Sequence, residues 1–255
     1  MLKMATFSDL RETSVFITGG GNGIGAALTE GFLEQGAKVA FVGRSDASAF
    51  VDEMAAKHGN RPLFLPCDII DIPALHAAMD TAAQAHGPVR VLVNNAANDT
   101  LHNAEDVTEA IWDEMQAVNL KAYFFACQKA AQMMKATGGS IINFSSISYM
   151  MGIAGLSTYI SANAGIMGLT RSLAREWGPD RIRVNAVAPG WVLTERQHKL
   201  WVTPEGLQSH IDKQCLKDTM EPRDILGGVL FLASDMSRMM TGQSLVIDAG
   251  VVGTG

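Results

Sequence analysis

The stretch Ser14–Thr18 (SVFIT), running straight into Thr18–Gly25 (TGGGNGIG), decides the reading of this chain. Its first five residues are mainly apolar and partly β-branched, which predicts a short buried strand. A glycine cluster follows, and from Gly23 to about Gln35 the pattern becomes helical. Strand, glycine turn and helix in that order suit a phosphate. Residues without Cβ let the backbone approach a pyrophosphate, and the helix N-terminus offers free N–H groups and a partial positive charge. The context carries more weight than the glycines themselves.

Working outward, Lys38–Val42 (KVAFV) repeats the strand signal and an alanine-rich helix is expected over Ala47–His58. Further short apolar runs lie at Leu63–Leu65, Val89–Val93, Ser140–Phe144, Ile182–Val187 and Ser244–Ile247, with helical patterns between them. Seven strands alternating with helices predict an α/β fold: a doubly wound, mostly parallel seven-stranded sheet with helices on both faces. Such sheets bind ligands at the carboxyl ends of their strands, so the informative residues should follow strands.

No Pro/Gly/Ser-rich linker, charge block or repeat divides the 255 residues, which predicts a single domain over 1–255. Hydrophobic residues make up 47% against 18% charged, enough apolar surface for a large core. A net charge of -6 with scattered basic residues argues against nucleic acid and for a small neutral or polar substrate. Charges at Lys3, Asp9, Arg11 and Glu12 leave no secretory signal in the opening residues, so a cytoplasmic protein is expected. Cys67, Cys127 and Cys215 have no metal-ligand spacing and are read as buried free thiols, with no metal site. Ala136–Thr170 carries no Asp, Glu, Lys, Arg or His, yet glycines, serines and Asn143 interrupt it. A buried strand, a site-lining loop and a buried helix are expected there rather than a membrane span.

The spacing TGxxxGIG resembles the short-chain dehydrogenase/reductase family rather than the GxGxxG of other dinucleotide folds. Asn94-Asn95-Ala96-Ala97 is similar to that family's NNAG, with Ala97 in place of its last glycine. Asp68 matches its adenine-contacting aspartate, and Pro189-Gly190 with Thr194 its PGxxxT segment. The resemblance spans essentially the whole chain. It implies a Rossmann-type fold and a nicotinamide cofactor held by Thr18, Gly19, Asn22, Gly23, Ile24, Gly25, Arg44, Asp68, Ile69, Asn95, Ala96, Ala97, Tyr159, Asn163, Pro189, Gly190, Val192 and Thr194. The choice between NAD and NADP is read after the second strand, where a carboxylate would accept from the ribose 2′-hydroxyl. Here the residue is Arg44, which favours NADP, with Asp46 as the alternative ribose partner that would favour NAD.

The same resemblance makes Tyr159 the proton-transfer group, Ser146 the donor to the substrate oxygen and Asn119 the holder of a relay water. The family's lysine, four residues after the tyrosine, is replaced by Asn163. A unit charge roughly 5 Å away at an effective dielectric of about 20 is worth on the order of 3 kcal/mol, or about 2 pKa units. Without it the phenol should return towards about 10 and oxidation should slow at neutral pH. Lys121, two residues from Asn119, faces elsewhere and is a poor substitute. The chain is then either a dehydrogenase with weakened chemistry or a silent nicotinamide-binding protein.

Trp191–Met220 reads as a polar, irregular substrate loop. Asn98-Asp99, Trp201–Gly206 and Gln214–Lys217 are similar to bacterial sugar dehydrogenases that oxidise an aldose at C1 to a lactone. Substrate contacts are expected from Asn98, Ser146, Ser148, Tyr159 and Trp191, with His102, Glu195, Gln197 and His198 as further polar groups suited to a polyol. The alternative is another small polar alcohol or ketone. Ser157–Trp177 carries apolar or small residues on nearly every face up to Arg171, which predicts packing on another subunit; the resemblance implies a homotetramer.

Overall fold

A computed structural model describes residues 5–253; Lys3, one of the charges in the N-terminal reading, lies outside them. Seven strands are present: β1 Ser14–Thr18, β2 Lys38–Gly43, β3 Leu63–Pro66, β4 Val91–Asn94, β5 Gly139–Phe144, β6 Ile182–Pro189 and β7 Ser244–Ile247. They form one sheet in the order β3-β2-β1-β4-β5-β6-β7, and every pairing is parallel, so the "mostly parallel" expectation tightens to fully parallel. The helices are α1 Gly23–Glu34, α2 Ser48–His58, α3 Ile72–His86, α4 Glu109–Gln116, α5 Ala122–Met134, α6 Ser148–Met151, α7 Ser157–Trp177, α8 Glu195–Leu200, α9 Pro204–Lys213 and α10 Pro222–Ala233. None is long and apolar enough to cross a membrane.

The strands read as continuous apolar runs because both faces of the sheet are covered. Val15, Ile17, Val39, Phe41, Val91 and Val93 point to the side packed by α1, α2 and α10. Phe16, Ala40, Val42, Leu92 and Ile141 point to the side packed by α3, α5 and α7. Polar ties lie within the second layer. Asn94 Nδ2 donates to Asn143 Oδ1 at 3.0 Å and Asn143 Nδ2 to Thr170 Oγ1 at 3.1 Å, linking β4, β5 and α7. Outside, Glu30 and Glu34 of α1 pair with Lys57 of α2 and Arg223 of α10.

Three readings change. Val89 is buried but precedes β4, because pairing with β1 starts at Val91. The 191–220 segment is irregular only in part, since it contains two short helices: Thr194 caps α8 through Gln197 N, and Thr203 caps α9 through Gly206 N with Pro204 at the first helical position. Cys67 and Cys127 are buried as expected, whereas Cys215 is exposed, with its thiol on the Gly250 carbonyl.

Candidate active site

The sheet order places the site. The chain runs outward from β1 to β3, then returns to lay β4 on the other side of β1, so the connections part above these two strands. A cleft of about 1010 Å³ opens there, lined by the loops after β1, β2, β3, β4, β5 and β6 and by Tyr159 and Asn163 of α7.

At one end is the glycine turn. A Cβ on Gly25 would sit 1.9 Å from the Gly19 carbonyl oxygen, and Gly19 itself adopts φ +71°, so both positions require glycine. Asn95 Nδ2 braces the turn by donating to the Thr18 and Gly19 carbonyls, each at 3.2 Å. Asn22 adopts extended backbone and makes no side-chain cap, which leaves the first-turn N–H groups of α1 for a ligand. No acidic residue stands in that turn. A side-chain-free cradle, uncapped N–H groups and no opposing charge fit a pyrophosphate. Gly19, Asn22, Gly23, Ile24, Gly25, Asn95, Ala96, Ala97, Pro189, Gly190, Val192 and Thr194 all line this part of the cleft.

Thr18 does not. It is 1% exposed, and its Oγ1 accepts from the backbone N–H groups of Asn95 and Ala96 at 3.0 and 3.1 Å. It ties the loop after β4 to β1 from beneath and is removed from the set of cleft-wall contacts. Ala97 stands in for glycine without strain, being absent from the positive-φ residues. At the far end Arg44, Asp68 and Ile69 line the cleft, with Arg44 Nη1 4.0 Å from Asp68 Oδ2. Asp46 is not in the wall. Its Oδ1 accepts from Ser48 N and Ser48 Oγ at 3.0 and 2.6 Å, holding the entry to α2.

The middle of the cleft gathers the chemical residues. Ser146 follows β5, and its Oγ accepts from Ser148 N at 3.1 Å, which leaves its proton to donate. Asn163 is 3% exposed; its Nδ2 donates to the Tyr159 carbonyl at 2.9 Å, and its own carbonyl accepts from Ser145 Oγ. Burial pushes the Tyr159 phenol up to about 12; the Asp99 carboxylate adds to this, while Asn163, Ser146 and Arg196 pull the other way. The return towards about 10 expected from losing the lysine is thus overshot, because burial and a nearby anion act alongside that loss.

Asn119 sits in a π-helical turn, Ala117–Lys121, between α4 and α5. Its Oδ1 accepts from Asn98 N at 2.8 Å, and its Nδ2 donates to the Asn98 and Met115 carbonyls. The side chain anchors the loop after β4: both Nδ2 protons are placed, and Oδ1 accepts once. Lys121 is exposed, on a different side from buried Asn119.

Asn98, Ser148 and, from the 191–220 segment, Trp191, Glu195, Arg196, Gln197, Trp201 and His210 line the same cleft as Tyr159. His102 and His198 do not line the cleft. His102 N–H is spent on the Gly155 carbonyl, and His198 lies on the exposed side of α8. Asp99 Oδ1 meets Arg196 Nη2 at 2.8 Å, and its Oδ2 accepts from Gln197 Nε2 at 2.9 Å. Gln197 Oε1 accepts in turn from Trp191 Nε1 at 2.8 Å, and the Trp191 ring meets His210 edge-on at 5.3 Å. Sequence reading passed over the Asp99–Arg196 pairing and His210. A pairing across 97 positions has no local signature, and His210 is brought in only by the α9 turn.

The enoyl-(acyl carrier protein) reductase model of the short-chain dehydrogenases matches residues 19–252. A protein named probable galactose dehydrogenase, from Rhizobium meliloti, is 49% identical over 98% of this chain and 99% of its own length. The D-xylose 1-dehydrogenase of Caulobacter vibrioides is 46% identical over 98% and 99%. Among solved structures, a blue fluorescent protein from a metagenomic library in complex with NADPH superposes with a TM-score of 0.88 at 34% identity, covering 96% of this chain and 100% of that one. The chain therefore belongs to the short-chain dehydrogenase/reductase family, as an NAD(P)-binding oxidoreductase.

Proposed function

We propose that this chain oxidises the C1 hydroxyl of an aldose sugar to a lactone, with NADP preferred over NAD and the whole of 1–255 acting as one domain whose 191–220 segment covers the substrate. The observation that carries the sugar is the wall beside Tyr159. Ser148 Oγ and His210 Nε2, the latter on a ring that meets Trp191 edge-on, line the cleft, and both are buried and without a hydrogen-bond partner. Such groups cost free energy unless a ligand satisfies them, and a polyol brings hydroxyls at the required density. An enoyl thioester chain, which the family model's description names, offers no such donors. Two relatives named as a probable galactose dehydrogenase and a D-xylose 1-dehydrogenase support the same reading.

A nicotinamide cofactor, when bound along the glycine turn, supplies the hydride acceptor. Ser146 donates to the substrate oxygen and fixes its orientation. Tyr159, as phenolate, accepts the hydroxyl proton. Asn163 holds the Tyr159 backbone through Nδ2, and Asn119 fixes the Asn98 wall. Arg44, 77% exposed at its side chain and at the cleft's far end, suits a 2′-phosphate, and Asp46 is already committed to Ser48.

The test is a screen of aldoses, galactose and xylose first, with each cofactor, read by the near-ultraviolet absorbance of the reduced form. Turnover with an aldose and NADP is expected, and Arg44→Asp should weaken NADP on the order of ten-fold relative to NAD. One observation favours a second reading. A phenol at about 12 without a lysine beside it suits a silent cofactor-binding protein, and tight NADP binding without turnover at any pH would establish that instead.

We propose also that copies of the chain associate into a homotetramer through α7, whose outer face presents Ser161, Ala164 and Gly168, small enough for close helix approach. A monomeric mass in light scattering would contradict this.

A further inference from the structure

We propose that Asp99 and Arg196 are positioning residues for Tyr159: their ion pair across the mouth of the cleft offsets the Asp99 charge only while α8 is docked, which ties the phenol's readiness as a base to the docking of the segment over the substrate. The inference rests on Tyr159 being the proton acceptor of the proposed reaction.

The geometry is a chain of three links. Arg196 Nη2 stands 2.8 Å from Asp99 Oδ1 as a charge pair without hydrogen-bond geometry, Gln197 Nε2 donates to Asp99 Oδ2, and Trp191 Nε1 donates to Gln197, so α8 meets both carboxylate oxygens while Asp99 itself belongs to the loop after β4. That loop is anchored from behind by Asn119 through Asn98. The pair therefore has one member on the anchored loop and one carried by a short helix, Glu195–Leu200, joined to the sheet by residues 190–194.

The charges that reach Tyr159 are few. Asp99 opposes its ionisation and Arg196 favours it. Tyr123 of α5 is fully buried, and burial keeps its phenol protonated and neutral. From α7 and the loop after β5 come only the neutral Asn163 and Ser146. Glu114 of α4, Glu195 and Lys199 of α8 and His210 of α9 also line the cleft; Glu195 and Lys199 pair with each other at 2.5 Å, and burial lowers His210 towards the neutral form. With position 163 uncharged, Arg196 is the cation that acts on the phenol, and it arrives with the 191–220 segment. Undocked, Arg196 retires and Asp99 faces the phenol alone. Docked, its charge is paired.

Tyrosine ionisation reads this directly, without turnover. The chain has three tyrosines, so subtracting the Tyr159→Phe variant isolates the signal of Tyr159. In alkaline pH-jump difference spectra, Asp99→Asn should move the Tyr159 midpoint down by about 0.5 to 1 pH unit and Arg196→Met should move it up by a similar amount. Gln197→Ala removes no charge but cuts the Asp99 and Trp191 links, so it should move the midpoint up as Arg196→Met does. In the proposed reaction, kcat at a fixed pH below the midpoint should rise about 3- to 10-fold in Asp99→Asn by the same charge term. Midpoints that stay in place, Asp99 and Arg196 variants that move together, or a Gln197→Ala midpoint equal to wild type would each overturn the inference. Midpoints that move as stated in a protein with no turnover on any sugar would uphold it and overturn the proposed function.

Discussion

At Asn163 one side chain sets the chemical character of the site. Tyrosinate is the form that accepts a proton from an alcohol, and with the phenol at about 12 its fraction grows roughly ten-fold per pH unit below that value. Alcohol oxidation is therefore expected to climb with slope one on a logarithmic scale throughout the accessible alkaline range. Asn163→Lys should flatten the upper part of that climb and raise the rate near neutral pH on the order of a hundred-fold, the effect of one cation about 5 Å away. Overlapping pH–rate profiles of the two proteins would contradict it. Gly25→Ala makes a backbone prediction of equal sharpness. Its Cβ would meet the Gly19 carbonyl oxygen at 1.9 Å, so the turn must open, and cofactor affinity should fall by more than about ten-fold while the circular dichroism of the sheet persists.

Among the elements, β6 and α10 show how a strand can end a helix. Arg183 of β6, partly buried, donates through Nη1 to the Leu232 carbonyl and Ser237 Oγ, both at 2.8 Å, and through Nη2 to the Ala233 and Ser234 carbonyls. These carbonyls at the end of α10 have no intrahelical partners, and a cation there also suits the helix dipole. Arg183→Met keeps the stem but strips the Ala233 carbonyl of its guanidinium partner, while the Leu232 and Ser234 carbonyls keep donors from Ser140 and Ser237, and it should lower unfolding free energy by about 1–3 kcal/mol in urea denaturation. A change within about 0.5 kcal/mol would show that water replaces the guanidinium at no cost. The helices over the site were the less legible elements. Thr194 and Thr203 each precede a helix start, yet α8 and α9 are short and polar-faced, so their capping signals were submerged in a loop-like composition.

For the molecule as a whole, the cleft binds before it reacts, and binding has its own signature. A ligand that engages only the folded state at about 100 times its Kd adds about 2.7 kcal/mol, which for a chain of this size raises Tm by about 5–10 °C. NADP is expected to give that shift with wild type and with Tyr159→Phe alike, and NAD a smaller one at equal concentration. Scanning calorimetry decides it; no shift with either nucleotide would remove the cofactor cradle from consideration.

The sequence by itself determined the strand–turn–helix opening, the seven strands and the residues that follow them, because buried parallel strands need unbroken apolar runs and a phosphate turn needs glycine, and both leave local marks. It also exposed the missing lysine, since Tyr159 and Asn163 lie one helical turn apart. Only the tertiary structure decided that Thr18 ties the loop after β4 to β1, that Asn119 anchors Asn98, and that Asp99 and Arg196 meet in the cleft. These are contacts between loops far apart in the chain, fixed by the sheet order and by where burial leaves a polar atom without water. No periodicity or spacing encodes them.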